Sequence, residues 1–206
     1  MAILTLELGK KEDLNLIKEI AGVIKNGGIA VLPTDTIYGI VGLAENKSVV
    51  ERIYKLRKRT SSKPMIILVS SVDQIINLGV KITLKQKAIF KKLWPNPTSI
   101  VIDCPFKRLH YLHRGKNSLA FRIPDNEFLL NLLKLTGPVV APSANFEGGK
   151  PAKNIDEAKQ YFKDSVPLYV DTGELNSPPS TVVKLEKTKL ILLRQGATDI
   201  PKSLLK

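Results

Sequence analysis

Short, wholly apolar runs alternate along this chain with segments whose apolar residues recur every three to four positions, and no Pro-, Gly- or Ser-rich linker interrupts the series. That alternation leaves few folds open, because buried strands interleaved with amphipathic helices build a sheet with helices on its faces. Asp13 to Lys25 carries Leu14, Ile17, Ile20, Ala21 and Ile24 at helical spacing. Asn26-Gly27-Gly28 stops that helix, since glycine takes the left-handed turn a helix end needs. Ile29–Leu32 then predicts a strand ended by Pro33. Asn46 or Ser48 caps a helix with Val49, Val50, Ile53 and Leu56 inward, and Met65–Val69 predicts a second strand. Further helices are expected near Val72–Leu78, from Thr83 to before Trp94, at Asn126–Leu135, and from Asn154 to Phe162. Strands are expected at Ile100–Ile102, Leu119–Ile123, Val139–Ala141, Leu168–Val170, Thr181–Leu185 and Leu190–Leu193. Helices and strands alternate for two-thirds of the chain and strands dominate the rest. The expected fold is therefore α/β (α+β): a mixed sheet, helices on its faces, antiparallel strands late in the chain. A length of 206 residues fits one domain covering residues 1–206.

Charge narrows the partners. Lys and Arg number 32 against 19 Asp and Glu, a net charge of +13, which suits nucleotides, nucleic acid or a membrane surface. With 43% hydrophobic and 25% charged residues, the chain is outside the disordered class. Cys104 is alone, which excludes an internal disulfide and a Cys-rich metal centre, and it is expected as a small buried residue. His110 and His113 stand three apart without nearby carboxylates and are expected at the surface; no metal ligand set is expected. No apolar run approaches the roughly 18 residues of a membrane span. The first residues lack a basic stretch before an apolar core, so no signal peptide and a cytoplasmic location are expected.

Chemistry concentrates in loops after strands. Neither a P-loop nor a dinucleotide fingerprint is present, so a bound nucleotide would be held by scattered cations and hydroxyls. Arg52, Lys55, Arg57, Lys58, Arg59 and Lys63 form a run without an acid after Glu51. Part of it suits a helix C-terminus or a solvated face. Arg57 and Arg59 leave the amphipathic pattern, and their guanidinium groups can fork onto phosphate oxygens. Pro33-Thr34-Asp35-Thr36-Ile37-Tyr38-Gly39 is either a hydrogen-bonding loop or a plain strand-to-helix turn. Ala141-Pro142-Ser143-Ala144-Asn145 leaves room for a ligand beside a hydroxyl and an amide. Pro179-Ser180-Thr181 and Leu193-Arg194-Gln195-Gly196 each set polar groups beside an apolar strand.

The series PTDTIYGI, KLRKRTSSKPMIIL, WPNPTSIV, SLAFRIP, APSANFEGG, PSTVV and LRQGA, in this order, resembles the YrdC/TsaC family of threonylcarbamoyl-AMP synthases from about Ile17 to Ala197. The resemblance implies a twisted mixed sheet flanked by helices around a large basic cavity. It implies a nucleotidyltransferase working on the threonylcarbamoyladenosine modification of tRNA. Threonine and bicarbonate would form an N-carboxy-threonine whose carboxylate attacks the α-phosphate of ATP and expels pyrophosphate, with Mg2+ beside the nucleotide. Carried over by motif, Arg57 and Arg59 would be the catalytic pair. Arg59, Lys63, Ser118, Ser143, Asn145 and Arg194 would bind ATP. Thr36, Tyr38, Arg122, Ala141 and Ser180 would bind threonine. Arg57 stands where the family's K-x-R element has lysine, and Leu68 where some members have histidine. Arg57 and Arg59 are expected to serve the ligand rather than the core. The partners implied are threonine, bicarbonate, ATP and downstream threonylcarbamoyl-transfer proteins, with no membrane. The other reading is a non-catalytic member that binds tRNA or duplex RNA; such a module has no need of Thr36, Arg122 and Ser180.

Overall fold

The computed structural model describes residues 2–5 and 14–206. Helix α1 (Leu14–Lys25) follows strand β1 (Ala2–Thr5), and the expected helix start at Asp13 lies outside the described residues. Strands β2 (Ala30–Pro33) and β3 (Tyr38–Leu43) lead to α2 (Lys47–Leu56), β4 (Ile66–Leu68), α3 (Val72–Asn77) and α4 (Leu84–Leu93). Then come β5 (Thr98–Asp103), α5 (His110–His113), β6 (Ser118–Arg122), α6 (Glu127–Thr136) and β7 (Val139–Val140). The chain continues with α7 (Ile155–Phe162), β8 (Leu168–Asp171), β9 (Thr181–Glu186) and β10 (Lys189–Arg194). The expected α/β class is what is found. Caps sit where short polar side chains precede the apolar periods: Asn46, Thr83, Asn126 and Asn154 each accept a hydrogen bond from a backbone N–H three residues on.

All the described strands join one mixed sheet in the order β1-β8-β2-β3-β7-β4-β6-β5-β9-β10. Several expectations need correction. Strand β3 was not anticipated, because two glycines and unbroken two-sided burial erase the period-two signal. The Thr34–Ile37 segment is consequently the loop of an antiparallel β2–β3 hairpin, not a strand-to-helix turn. The expected late antiparallel pair is β9 with β10, but antiparallel pairing also joins β2 to β3, β3 to β7, β4 to β7 and β5 to β6, while the late strands β8 and β9 pair parallel with β1, β2 and β5. His113 is buried, its ring facing the Phe106 carbonyl and accepting from the Gly115 N–H, whereas His110 is exposed. Cys104 is buried as expected.

Successive strand residues enter two different cores, as the pleat requires. Val31, Ile40, Ile67, Val140 and Tyr169 pack with α2, α4 and α7 on one face. Leu32, Val41, Leu68, Val139 and Val170 pack with α1 and α6 on the other. Gly42 lets α2 press onto β3, since a Cβ there would run into the Val49 side chain. Burial of a side chain such as Ile20 or Leu133 contributes about 1.5–3 kcal/mol. Helices α1 and α6 pack against the β8-β2-β3-β7-β4 half of their face. Across β6, β5 and β9 no described helix covers the same face, and that uncovered area becomes the floor of a cavity.

Candidate functional site

The cavity holds about 630 Å³. Its floor follows from strand alternation: Ser118, Ala120 and Arg122 of β6, Val101 of β5, and Val182 and Lys184 of β9 face it. The residues between them, Leu119, Phe121, Ile100, Val183 and Leu185, enter the core behind. Small side chains on the floor leave the volume open. Among the described residues six cations line the cavity, Arg57, Arg59, Lys116, Arg122, Lys184 and Arg194, and no Asp or Glu does.

One cationic group grows from the end of α2. Arg57 still donates its N–H to Ile53 O, and Lys58 then takes a left-handed φ of 49°, which turns the chain out of the helix. Lys58 is thereby carried away, its ammonium 4.2 Å from the Phe146 ring centre. Arg57 points inward instead. Its Nε donates to Asn145 O at 3.1 Å, and its Nη2 to Ser143 Oγ at 3.1 Å and Asn145 Oδ1 at 3.2 Å. Nη1 is buried without a partner, the state of a donor awaiting an anion. Burial, then the nearby Arg59 charge, pull the Arg57 pKa down to about 10, so it remains a cation at neutral pH. Arg59 donates to the carbonyls of Lys63 and Pro64, 3.1 and 2.9 Å away, and shapes its own loop. Lys63 stays outside the cavity, its ammonium 2.6 Å from Glu147 Oε1. Glu147 Oε2 also accepts from the Thr60 hydroxyl at 2.7 Å, and these contacts hold its carboxyl down at about 2.

The other group lies at the β2–β3 hairpin. Thr34 Oγ1 accepts from the N–H groups of Thr36 and Ile37 and donates to Ile37 O at 2.7 Å, which knots the loop. Its hydroxyl lies 3.1 Å from that of Thr36. Tyr38 lines the wall, but its hydroxyl is engaged elsewhere, donating to Gly173 O at 2.7 Å and accepting from the Thr172 N–H. Burial pushes that phenol up to about 12. Arg122 lies 2.9 Å from Asp35 Oδ1, with side chains 4% and 1% exposed. Burial pushes the Asp35 carboxyl up and the Arg122 guanidinium down, and each charge opposes the other's shift. Arg194 donates to Ser180 O at 2.8 Å, and Ser180 Oγ lies 3.0 Å from Ser99 Oγ in the buried β5–β9 seam. Gly196 permits this arrangement, because a Cβ there would collide with the Pro179 and Ser180 carbonyls.

Of the residues singled out in the sequence, Thr36, Tyr38, Arg57, Arg59, Ser118, Arg122, Ala141, Ser143, Ser180 and Arg194 line this one cavity. Asn145 sits behind Arg57, and its amide nitrogen donates to the Phe146 and Gly149 carbonyls at 2.6 and 2.8 Å. Leu68 packs into the α1/α6 core. Lys116, Lys184 and Asp35 were not singled out. Lys184 could have been found, four residues along the same strand face as Ser180; the Asp35 contact crosses 87 positions and has no local signal. Among the described residues no three His, Cys, Asp or Glu side chains come together as metal ligands, and no helix is long and apolar enough to cross a membrane.

A cation-lined cavity on the open half of a twisted mixed sheet defines the class. Residues 22–196 match the family model Sua5/YciO/YrdC, described as telomere recombination, and the chain belongs to that family. The threonylcarbamoyl-AMP synthase of Pyrococcus abyssi is 30% identical over 186 residues, 89% of this chain and 55% of that protein. The chain therefore spans just over half the length of that relative. A Methanocaldococcus jannaschii relative is 30% identical over 197 residues, 95% of this chain and 93% of its own length. The crystal structure of P. abyssi Sua5 complexed with L-threonine superposes with a TM-score of 0.85 at 28% identity, covering 95% of this chain and 58% of that one.

Proposed function

We propose that this chain is a threonylcarbamoyl-AMP synthase that makes its product from L-threonine, bicarbonate and ATP. The observation that carries the reading is the cavity lining: six cations, no carboxylate, and two separate cationic groups on one floor. All three substrates are anions or carry a carboxylate, so such a cavity attracts each of them. Arg57 and Arg59, with Ser143 at the Arg57 guanidinium, suit the triphosphate, Ser118 on the floor and Arg194 from the other cationic group would complete its contacts, and the free Nη1 of Arg57 supplies a donor for a phosphate oxygen. Lys63 would reach it on leaving Glu147. Arg122, with Thr36, Ser180 and the Ala141 and Tyr38 walls, suits the amino acid, whose carboxylate would meet the guanidinium. Bicarbonate and the threonine amine join as a carbamate with loss of water. A carbamate oxygen then attacks the α-phosphorus, the bond to the β-phosphate oxygen breaks, and pyrophosphate leaves. Such a transfer needs positioning and charge stabilisation rather than a protein nucleophile, consistent with a cavity lined by neither cysteine nor histidine. Mg2+ would enter on the phosphates of ATP, since among the described residues no three His, Cys, Asp or Glu side chains come together to hold it. A cytoplasmic place upstream of a threonylcarbamoyl-transfer protein acting on tRNA belongs to the same reading.

The test incubates the purified protein with ATP, threonine and bicarbonate and measures pyrophosphate. Release that requires both threonine and bicarbonate is expected, and release indifferent to either overturns the proposal. Tight RNA binding without ATP turnover, weakening with salt at a log–log slope of about −0.7 to −0.9 per neutralised phosphate, would favour the RNA-binding reading instead.

A further inference from the structure

Asp35 is a buried carboxylate that touches the cavity only through another residue. Its side chain is 1% exposed and does not line the cavity, whereas Arg122, 2.9 Å away, does. The pair is poorly furnished. Beside Arg122, the Asp35 carboxylate has only the poorly aligned backbone N–H groups of Asp35 itself and Asp125, and Arg122 Nε is buried without an acceptor. Arg122 Nη2 faces Asp35 and lies 3.5 Å from Thr34 Oγ1, which leaves Nη1 for a ligand. A buried ion pair stabilises a fold only when its remaining hydrogen bonds are satisfied, and apolar replacements are often as stable. This pair is therefore badly explained by stability and well explained by what it does to Arg122. The hairpin knot, in which Thr34 Oγ1 accepts from the N–H groups of Thr36 and Ile37, closes around the backbone of Asp35 from both sides, so the carboxylate cannot readily follow Arg122 if that side chain moves. Arg194 is close enough to lower the Arg122 pKa, and Asp125 close enough to raise that of Asp35.

We propose that Asp35 is the positioning residue of the amino-acid subsite: it holds the Arg122 guanidinium from beneath and turns it toward the substrate carboxylate, without meeting the ligand. This rests on the proposed function. The experiment compares wild type, Asp35→Asn, Arg122→Gln and the double variant for pyrophosphate release against threonine and against ATP. Asp35→Asn is expected to raise the threonine KM at least tenfold, with the loss recovered at high threonine and the ATP KM within twofold of wild type. In the Arg122→Gln background the same change should leave kcat/KM for threonine within twofold, because Asp35 then has nothing to position. An unshifted threonine KM in Asp35→Asn overturns the proposal. A double variant tenfold worse than Arg122→Gln also overturns it, since Asp35 would then meet the ligand itself. Should Asp35→Asn fail to fold, the double variant, which leaves neither charge unpaired, decides the matter against Arg122→Gln alone. A wild type that ignores threonine overturns the functional reading and this proposal with it. A threonine-dependent wild type with an unshifted Asp35→Asn overturns only the role of Asp35.

Discussion

Arg57→Ala distinguishes a cation that serves only a ligand from one built into the fold. From the sequence its loss should scarcely touch stability; the structure reverses that expectation. The side chain is 2% exposed, and three hydrogen bonds tie it to Ser143 and Asn145. Hydrogen bonds to a charged group contribute about 1.5–3 kcal/mol each. Desolvation of a buried ion, several kcal/mol, offsets much of that, and alanine removes both terms together. What remains is two Asn145 oxygens left without their donor, at about 1–3 kcal/mol, and the space of a long side chain. The net loss is about 2–4 kcal/mol, a fall in Tm of roughly 5–15 °C for a chain of this size. Thermal unfolding followed by circular dichroism measures it. Arg57→Lys should fall between, because one ammonium cannot satisfy three acceptors in the guanidinium's fork. Arg59→Ala is the contrast: its bonds go to its own loop, so it should melt close to wild type while turnover drops about 30-fold, the equivalent of about 2 kcal/mol. An Arg57→Ala protein that melts like wild type would refute the network of Arg57, Ser143 and Asn145.

Gly196→Ala should destabilise by about 1–3 kcal/mol as an overpacked backbone contact, read as a lower urea midpoint; an unchanged midpoint would show that the Pro179–Ser180 backbone yields freely. Glu147→Gln frees the Lys63 ammonium and should tighten ATP binding severalfold by calorimetry while lowering Tm slightly, because the carboxylate's contacts with Lys63 and Thr60 are weakened; weaker binding would count against Lys63 as a nucleotide ligand. Burial pushes Tyr38 and Tyr169 up to about 12 from an ordinary value of 10. Between those values the unfolded chain releases protons that the folded one keeps, so stability should fall as pH climbs from 10 to 12. A Tm flat across that window would contradict the burial of these phenols.

Helix positions were legible because their signals are local. Asn46, Thr83, Asn126 and Asn154 cap N–H groups three residues ahead, and apolar spacing within one helix announces its buried face. The motifs around Thr36, Arg57, Arg122, Ser143, Ser180 and Arg194 could likewise be read, since each combines the end of a strand or, at Arg57, of a helix with polar groups inside a few residues. Strand β3 could not, because a strand buried on both faces and carrying two glycines has no alternation to detect. Nor could the sequence say which cations converge. Six stand between Arg52 and Lys63, yet only Arg57 and Arg59 line the cavity. Arg52 and Lys55 stay on the exposed face of α2, and the left-handed turn at Lys58 and the contact of Lys63 with Glu147 send those two outward. What the chain determined by itself is therefore whatever neighbours along it decide: caps, periods, and the residue types at strand ends. Sheet order put β6 between β4 and β5, and the reach of α1 and α6 left its polar face open. Those are pairings across distant parts of the chain, settled by burying both faces of one sheet together, and only they could bring Asp35 under Arg122.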